Sequence, residues 1–361
     1  MSCPQIVLGK FPCGLRIFTI GQYGSYKTAE RIVQAHDFRQ FLDRFNDLNP
    51  AQIEDARTRI RDVRRKTEAL AEIESRTKQE HKCPHCGDDR RQKWGRTRTK
   101  VQRYRCLGCQ KTFCGRTTSR IRHIHRPDLF LEVIRDMLGT RTPSSIRQLA
   151  SRLGLDKHTI WRWRLIIIQG LSGSSDSHFS GIVEVDETYQ KESRKGSREW
   201  VRHKQDPINH TKPPRLRWYE YTKLGVNMQR GLSQWQLPIL TVVDRGGAKM
   251  AQRIPDRANT TIQNALDPVV PADAVLCSDA LRAYGHFARV KGMEHFVVGG
   301  AKGKAQATAA HHIQNINSLH SRHDDFIRQF KGPASKYLLG YVDWFIARQS
   351  GVSLAEAFLQ V

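Results

Sequence analysis

The sequence predicts a multi-domain α+β protein. N-terminal helices come first, then a small ribbon held by cysteines, a pair of short helices, and an α/β domain on a mixed sheet. Three observations carry this reading. Two Cys-x-x-Cys pairs, Cys83/Cys86 and Cys106/Cys109, are separated by nineteen residues. Two short helical patterns meet at Gly154-Leu155-Asp156. Beyond residue 180, apolar runs of strand length alternate with helical ones, and two of the strands carry aspartates.

With 361 residues the chain has room for two or three domains. Its formal net charge is +25 and its pI is near 10.1. So large a positive charge points to nucleic acid as the first partner. A membrane surface is the second, but no long basic amphipathic helix stands out. The longest apolar run, Leu165 to Ile168, is far short of the ~20 residues a membrane helix needs. The N-terminus lacks a signal-peptide pattern, so a cytoplasmic, nucleoid-associated protein is expected. Its cysteines should be reduced there, and paired ones read as metal ligands.

From His36 the pattern is helical, with Phe38, Phe41, Leu42, Phe45 and Leu48 on one face until Asn49-Pro50 breaks it. A second helix from about Ala51 to Gln79 places Ile53, Ala56, Ile60, Val63 and Leu70 near a seven-residue repeat. That face either packs on its own chain or forms a short dimer seam. Residues 1–80 are thus a helical extension.

The cysteine pairs follow, in residues 81–120. Four thiolates complete a tetrahedron around Zn²⁺ with no open position, which reads as a zinc ribbon. His85 and Cys114 are left outside that set. The ribbon carries eight Arg and Lys residues between Arg90 and Arg105, interleaved with Trp94 and Tyr104. DNA contact is the expected use.

Residues 121–172 are helical. Pro127 to Leu138 is one amphipathic helix, and Ser144 to Leu153 the next. Asp156 can N-cap the helix from Lys157 to Ile168. Two short helices joined by a glycine turn make a helix-turn-helix pattern. Lys157, His158, Thr159 and Arg162 would then face the major groove. A Ser/Gly-rich linker, 170–180, leads on.

In Gly181 to Tyr189 the alternation puts Ile182, Glu184, Asp186 and Thr188 on one face and Val183, Val185 and Glu187 on the other. Glu187 is thereby expected to point away from Asp186 and to form a salt bridge. The stretch Lys191 to Arg217 is basic and reads as an irregular loop along a phosphate backbone, with Arg194, Lys195 and Arg198 among its cations. Strands are expected at Gln236–Asp244, Ala274–Asp279 and His295–Val298. Helices are expected at Ala258–Asp267, Leu281–Val290, Ala309–Phe330 and Lys336–Arg348. Cys277 belongs to the core. His311 and His312, which open a helix, read as caps or DNA contacts. Asp186 and Asp279 on strands, with Asn317 thirty-eight positions later on a helix, match how a ribonuclease H-like sheet gathers oxygen ligands for two divalent ions.

The segments that carry a resemblance are Val185-Asp186-Glu187-Thr188, Glu192 to Arg198, Arg230-Gly231-Leu232-Ser233, Leu276-Cys277-Ser278-Asp279 with Tyr284, and His312 to Arg322. Lys331-Gly332, Lys336-Tyr337-Leu338, Tyr341 and Trp344 complete them. Together they resemble insertion-sequence transposases of the DDE superfamily, in the group with a zinc ribbon and Asn as third catalytic residue. The likeness spans about residues 81–345. It implies a ribonuclease H-like catalytic domain over 180–348, with Asp186, Asp279 and Asn317 as the trio holding Mg²⁺ or Mn²⁺. It also implies double-stranded DNA as partner, at element ends and target, and a homodimer or larger synaptic assembly on DNA. Three departures stand out: Asp324 where the family has lysine, Ala280 where it has glycine after Ser-Asp, and a long stretch ahead of the ribbon. Two other readings stay open: a DNA-binding regulator derived from a transposase, and a structure-specific nuclease on the same fold.

Overall fold

The computed structural model describes residues 34–173, 178–193, 195–210, 236–298 and 310–360. Arg194 and the block Arg230–Ser233 lie outside these residues. The chain divides into two compact units, residues 1–60 and 61–361.

In the first unit, helix α1 (Ala35–Asp43) runs into a 3-10 turn, Arg44–Asp47. The Phe41 and Phe45 rings pack edge to face, 5.1 Å apart. Helix α2 (Pro50–Gln79) begins at a reciprocal cap. The Asn49 side-chain Oδ1 accepts from the Gln52 backbone N–H, and the Gln52 side-chain Oε1 accepts from the Asn49 backbone N–H. Proline at the first helical position needs no donor, so the signal that ends α1 also starts α2.

The second unit takes up the chain at Arg61. There α2 buries Ala69, Ile73 and Thr77. Strands β1 (Arg91–Arg96), β2 (Gln102–Cys106) and β3 (Thr112–Phe113) form an antiparallel sheet in that order. Helices α3 (Pro127–Leu138), α4 (Ile146–Leu153) and α5 (Lys157–Gly170) follow. Ser145 and Gln148 cap α4 reciprocally, Gly154 ends it at φ 63°, and Asp156 accepts from the His158 N–H at 2.8 Å to start α5. Only a residue tolerant of the left-handed region can close that turn.

The large sheet contains β4 (Ile182–Lys191), β5 (Gln236–Asp244), β6 (Lys249–Arg253), β7 (Val275–Ser278) and β8 (His295–Val297), in the order β6-β5-β4-β7-β8. The first three pair antiparallel. β7 lies parallel to β4, and β8 parallel to β7. This is the mixed sheet expected of a ribonuclease H-like domain. One face (Val183, Val185, Leu240, Val242, Leu276) packs on α7 (Asn259–Leu266) and α8 (Arg282–Lys291). The other face (Ile239, Val243, Ala251) shares a core with α3, α5, α9 (Gln314–Arg328), α10 (Leu338–Gln349) and α11 (Leu354–Gln360). Buried Trp344 donates its indole N–H to the Met137 carbonyl at 2.8 Å, clamping α10 to α3. Buried Arg164 of α5 pairs with Asp136 of α3 at 3.1 Å.

The basic stretch after β4 is not wholly irregular. A short helix, α6 (Glu199–Gln205), forms before Pro207, because a proline constrains only itself and its neighbour. α9 begins at Gln314 rather than near Ala309, because two side chains fix its start. The Glu184 carboxylate accepts the Ile316 N–H at 2.9 Å, and His312 Nδ1 accepts the Gln314 N–H at 3.2 Å. β3, β6 and α11 have no counterpart in the pattern reading. Among the described residues no helix is long and apolar enough to cross a membrane.

Candidate active site

β7 stops at Ser278, opposite Val185, while β4 runs on to Lys191 paired with β5. From Asp186 onward the β7 side of β4 is therefore open. Asp279 drops into this notch at the carboxyl end of the parallel pair, where ligands of α/β sheets gather. It accepts the Leu281 N–H at 2.9 Å, which fixes its side chain.

Three carboxylates meet there. Asp186, Glu187 and Asp279 each offer an oxygen within 4.8 Å of the others. The expected salt bridge of Glu187 is absent among the described residues. Glu187 is buried with Oε1 free of hydrogen bonds. Strand alternation does turn it to the α8 face, beside buried Tyr284. With β7 ended, however, acids from both faces of β4 reach the same gap. Burial pushes Asp186 up to about 6, with the neighbouring Asp279 charge adding to it. Burial likewise pushes Glu187 up to about 7; the neighbouring Tyr284 hydroxyl works against this, and the Asp279 and Asp186 charges add to it.

α9 covers the other face of β4. Buried Glu184 accepts from the Asn315 side chain at 2.9 Å and pairs with Arg245 at 3.0 Å, so it pins the start of α9 two residues from Asp186. Further along, Thr241 donates to the Asp186 carbonyl at 2.9 Å and lies 2.6 Å from His320 Nε2. With its proton committed, the hydroxyl accepts from Nε2–H. Bare Nδ1 then faces Asp186 Oδ2 at 3.8 Å. Burial drives His320 down to about 4, so the ring is neutral. Asn317 sits exposed one turn before His320. Asp324, one turn after it, is held below the usual carboxylate range by His323. Glu184, Thr241 and His320 had no assigned role in the sequence reading; only the polar alternation of β4 hinted at Glu184.

The carboxylate set fits a hard divalent cation. Around a Mg²⁺ ion, ligand oxygens lie about 3.0 to 4.2 Å apart, a range the carboxylates can reach from their present positions within 4.8 Å of one another. Without such an ion, stability has a definite pH dependence. A raised carboxylate pKa stabilises the fold below the unfolded value, and that contribution is lost as pH rises through the folded value. His320, depressed, acts oppositely between about 4 and 6.5. Above about pH 6.5 the His320 effect fades and the acid effect outweighs what is left of it. The metal-free protein should therefore melt lower at pH 8 than at pH 6.5, and Mg²⁺ should flatten the difference. A metal-free melting temperature that holds or rises over this window would contradict the assignment.

The second cluster is Cys83, Cys86, Cys106 and Cys109. Cys83 and Cys109 sulfurs lie 3.7 Å apart, and Cys86 and Cys106 sulfurs 3.5 Å. A tetrahedral ZnS₄ site requires about 3.8 Å, so the cluster could hold zinc. The Cys109 and Gly108 N–H groups are directed at Cys106 and bring its thiol down to about 7. Beside the cluster, Arg105 lies over the Trp94 ring at 4.6 Å and Arg91 over Tyr104 at 4.7 Å.

On α5, Lys157, His158 and Arg162 are exposed and Thr159 half-buried. Lys195 and Arg198 are exposed as well. Lys195 donates to the Lys331 carbonyl, and Ser193 and Ser335 bond reciprocally at 2.7 and 2.8 Å. These contacts bring two basic sequence blocks, 192–198 and 331–336, together.

A mixed sheet of this order with acids at the end of its parallel pair is the arrangement of a ribonuclease H-like domain. Residues 178–348 match the ISXO2-like transposase domain, and this part of the chain belongs to that family of insertion-sequence transposases. No curated protein matches the chain.

Proposed function

We propose that the protein is a DNA transposase. It would bind the terminal inverted repeats of its element, hydrolyse a strand at the element end, and join the freed 3′-hydroxyl to target DNA. The observation that supports this best is the Asp186–Asp279 pair at the notch of a transposase-family sheet. Asp186, Asp279 and the Asn317 carbonyl oxygen would hold Mg²⁺ or Mn²⁺. Bound there, the ions would stabilise the attacking and leaving oxygens at phosphorus. The chain's own part is placement. Glu187 N–H orients Asp186 at 2.8 Å, Thr241 and His320 fix the α9 face, and Glu184 holds the start of that helix. The four cysteines would hold Zn²⁺ and shape the basic ribbon. α4 and α5 would act as a helix-turn-helix, with Lys157, His158, Thr159 and Arg162 toward the bases. Arg194, Lys195 and Arg198 would track a phosphate backbone. A dimer or larger assembly would pair the two ends.

The test is incubation of the full protein with end-containing DNA in Mg²⁺. Strand nicking and joining are expected. Binding without either supports a regulator, and nicking of branched DNA without joining supports a nuclease. End binding should weaken steeply with salt, with a log–log slope of about −5 for six contacted phosphates at ~0.9 each. Arg162→Ala should reduce discrimination between end DNA and random DNA by about tenfold, from the ~1–3 kcal/mol carried by a base contact. Equal loss on both DNAs would make Arg162 a backbone contact.

A further inference from the structure

We propose that Glu187 is a divalent-cation ligand alongside Asp186 and Asp279, bringing the third negative charge to the site. The inference rests on the metal-dependent reading above. In that reading Asn317 offers an oxygen but no charge, so the two aspartates leave half the charge of a two-ion site unneutralised.

Glu187 is only 7% exposed, and its Oε1 makes no hydrogen bond among the described residues. A buried carboxylate oxygen left without a donor calls for a partner that the fold itself does not supply. The cation best placed to provide one is Arg257, but it forms no ion pair with Glu187 among the described residues. Its guanidinium lies instead over the Tyr189 ring at 5.9 Å. The Tyr284 hydroxyl, fully buried, is the nearest donor and favours the charged carboxylate of Glu187, but the two do not meet in good hydrogen-bond geometry. It could steady the carboxylate once an ion fixes it. The Glu187 N–H is bonded to Asp186 Oδ1 at 2.8 Å, which ties the two acids to one corner of the notch. Their oxygens and that of Asp279 lie within 4.8 Å of one another. At a Mg–O distance of ~2.1 Å, neighbouring ligand oxygens sit about 3.0 Å apart and opposite ones about 4.2 Å, so side-chain rotation within the notch has to draw the three together onto one ion.

The experiment uses the full-length protein and Mn²⁺ alone as probe, read by calorimetry and by the electron paramagnetic resonance of the bound ion. Glu187→Gln should melt no lower than wild type without cation, because it removes a buried charge. Its Mn²⁺ dissociation constant should rise at least about tenfold, since groups outside the ligand shell already account for that much. Asp186→Asn is the companion and should weaken binding as well. If Asp186→Asn weakens binding and Glu187→Gln binds as wild type does, Glu187 is no ligand and the proposal is overturned while the site reading stands. If wild type binds no Mn²⁺, or neither variant changes its binding, the site reading fails and takes the proposal with it. Should Glu187→Gln not fold, Glu187→Asp replaces it. That change keeps the charge but withdraws the oxygen by one methylene, and about tenfold weaker Mn²⁺ binding is expected. Unchanged affinity there overturns the proposal.

Discussion

Asp279→Ala is expected to melt no lower than wild type, bind end DNA normally, and neither nick nor join it in Mg²⁺. The stability part follows from two opposed effects. The variant loses the hydrogen bond from the Leu281 N–H, worth about 1 kcal/mol. It also removes one of three carboxylates clustered within 4.8 Å. At an effective dielectric of ~20, each such pair repels by about 3 kcal/mol. Even at half that value, relief outweighs the lost bond. The activity part follows from the proposed role. Losing a metal anchor forfeits several kcal/mol of transition-state stabilisation, and about 4 kcal/mol is roughly a thousandfold in rate. DNA binding, assigned to the ribbon and to α4 and α5, should be unaffected. A gel-based nicking and joining assay, a binding assay and a melting curve settle the three parts. An active Asp279→Ala would remove the proposed site altogether.

Cys106→Ser should unfold residues 81–115 while the transposase-family domain keeps its cooperative melt. Few buried side chains hold that segment together: Cys83, Cys106 and Phe113 form its own apolar cluster, with Tyr104 and Cys109 against it. Structural Zn²⁺ contributes roughly 10–16 kcal/mol of apparent binding energy in small peptides, and that energy is folding energy. Three thiolates and a serine cannot keep it. Metal analysis of the purified, reduced wild type should find one zinc per chain; finding none would refute the assignment. Limited proteolysis of the variant should cut within 81–115 first.

Much of this architecture can be read from residues, and the exceptions have physical causes. β5 shows at both ends because Gln236 and Asp244 bracket an apolar run interrupted only by Thr241. The cysteine pairs show because metal geometry restricts their spacing. Strand periodicity places Glu187 correctly on the face opposite Asp186, but it cannot tell where a neighbouring strand stops, so it offers a salt bridge in place of a shared gap. The end of β7 at Ser278 makes both faces of β4 serve one notch. His320 was not seen because a polar residue on a polar helix face carries no periodic signal. Its place is set by Thr241, seventy-nine positions away. The start of α9 was placed too early for the same reason, since Glu184 determines it across 132 positions. β6 is five residues long with two of them exposed, so its pattern is too short to stand out.

One core runs from α3 and α5 through α10 to the back of the large sheet, and the Trp344–Met137 bond and the buried Arg164–Asp136 pair fasten it. The helices proposed to read DNA and the strands proposed to cut it therefore move as one piece. A protein jointed between those parts could cut at varying distances from the sequence it recognises. Here the span from α5 to the Asp186–Asp279 notch is set by side-chain packing, which is nearly incompressible. The number of base pairs between the recognised sequence and the broken phosphate then becomes a length written into the interior of the protein.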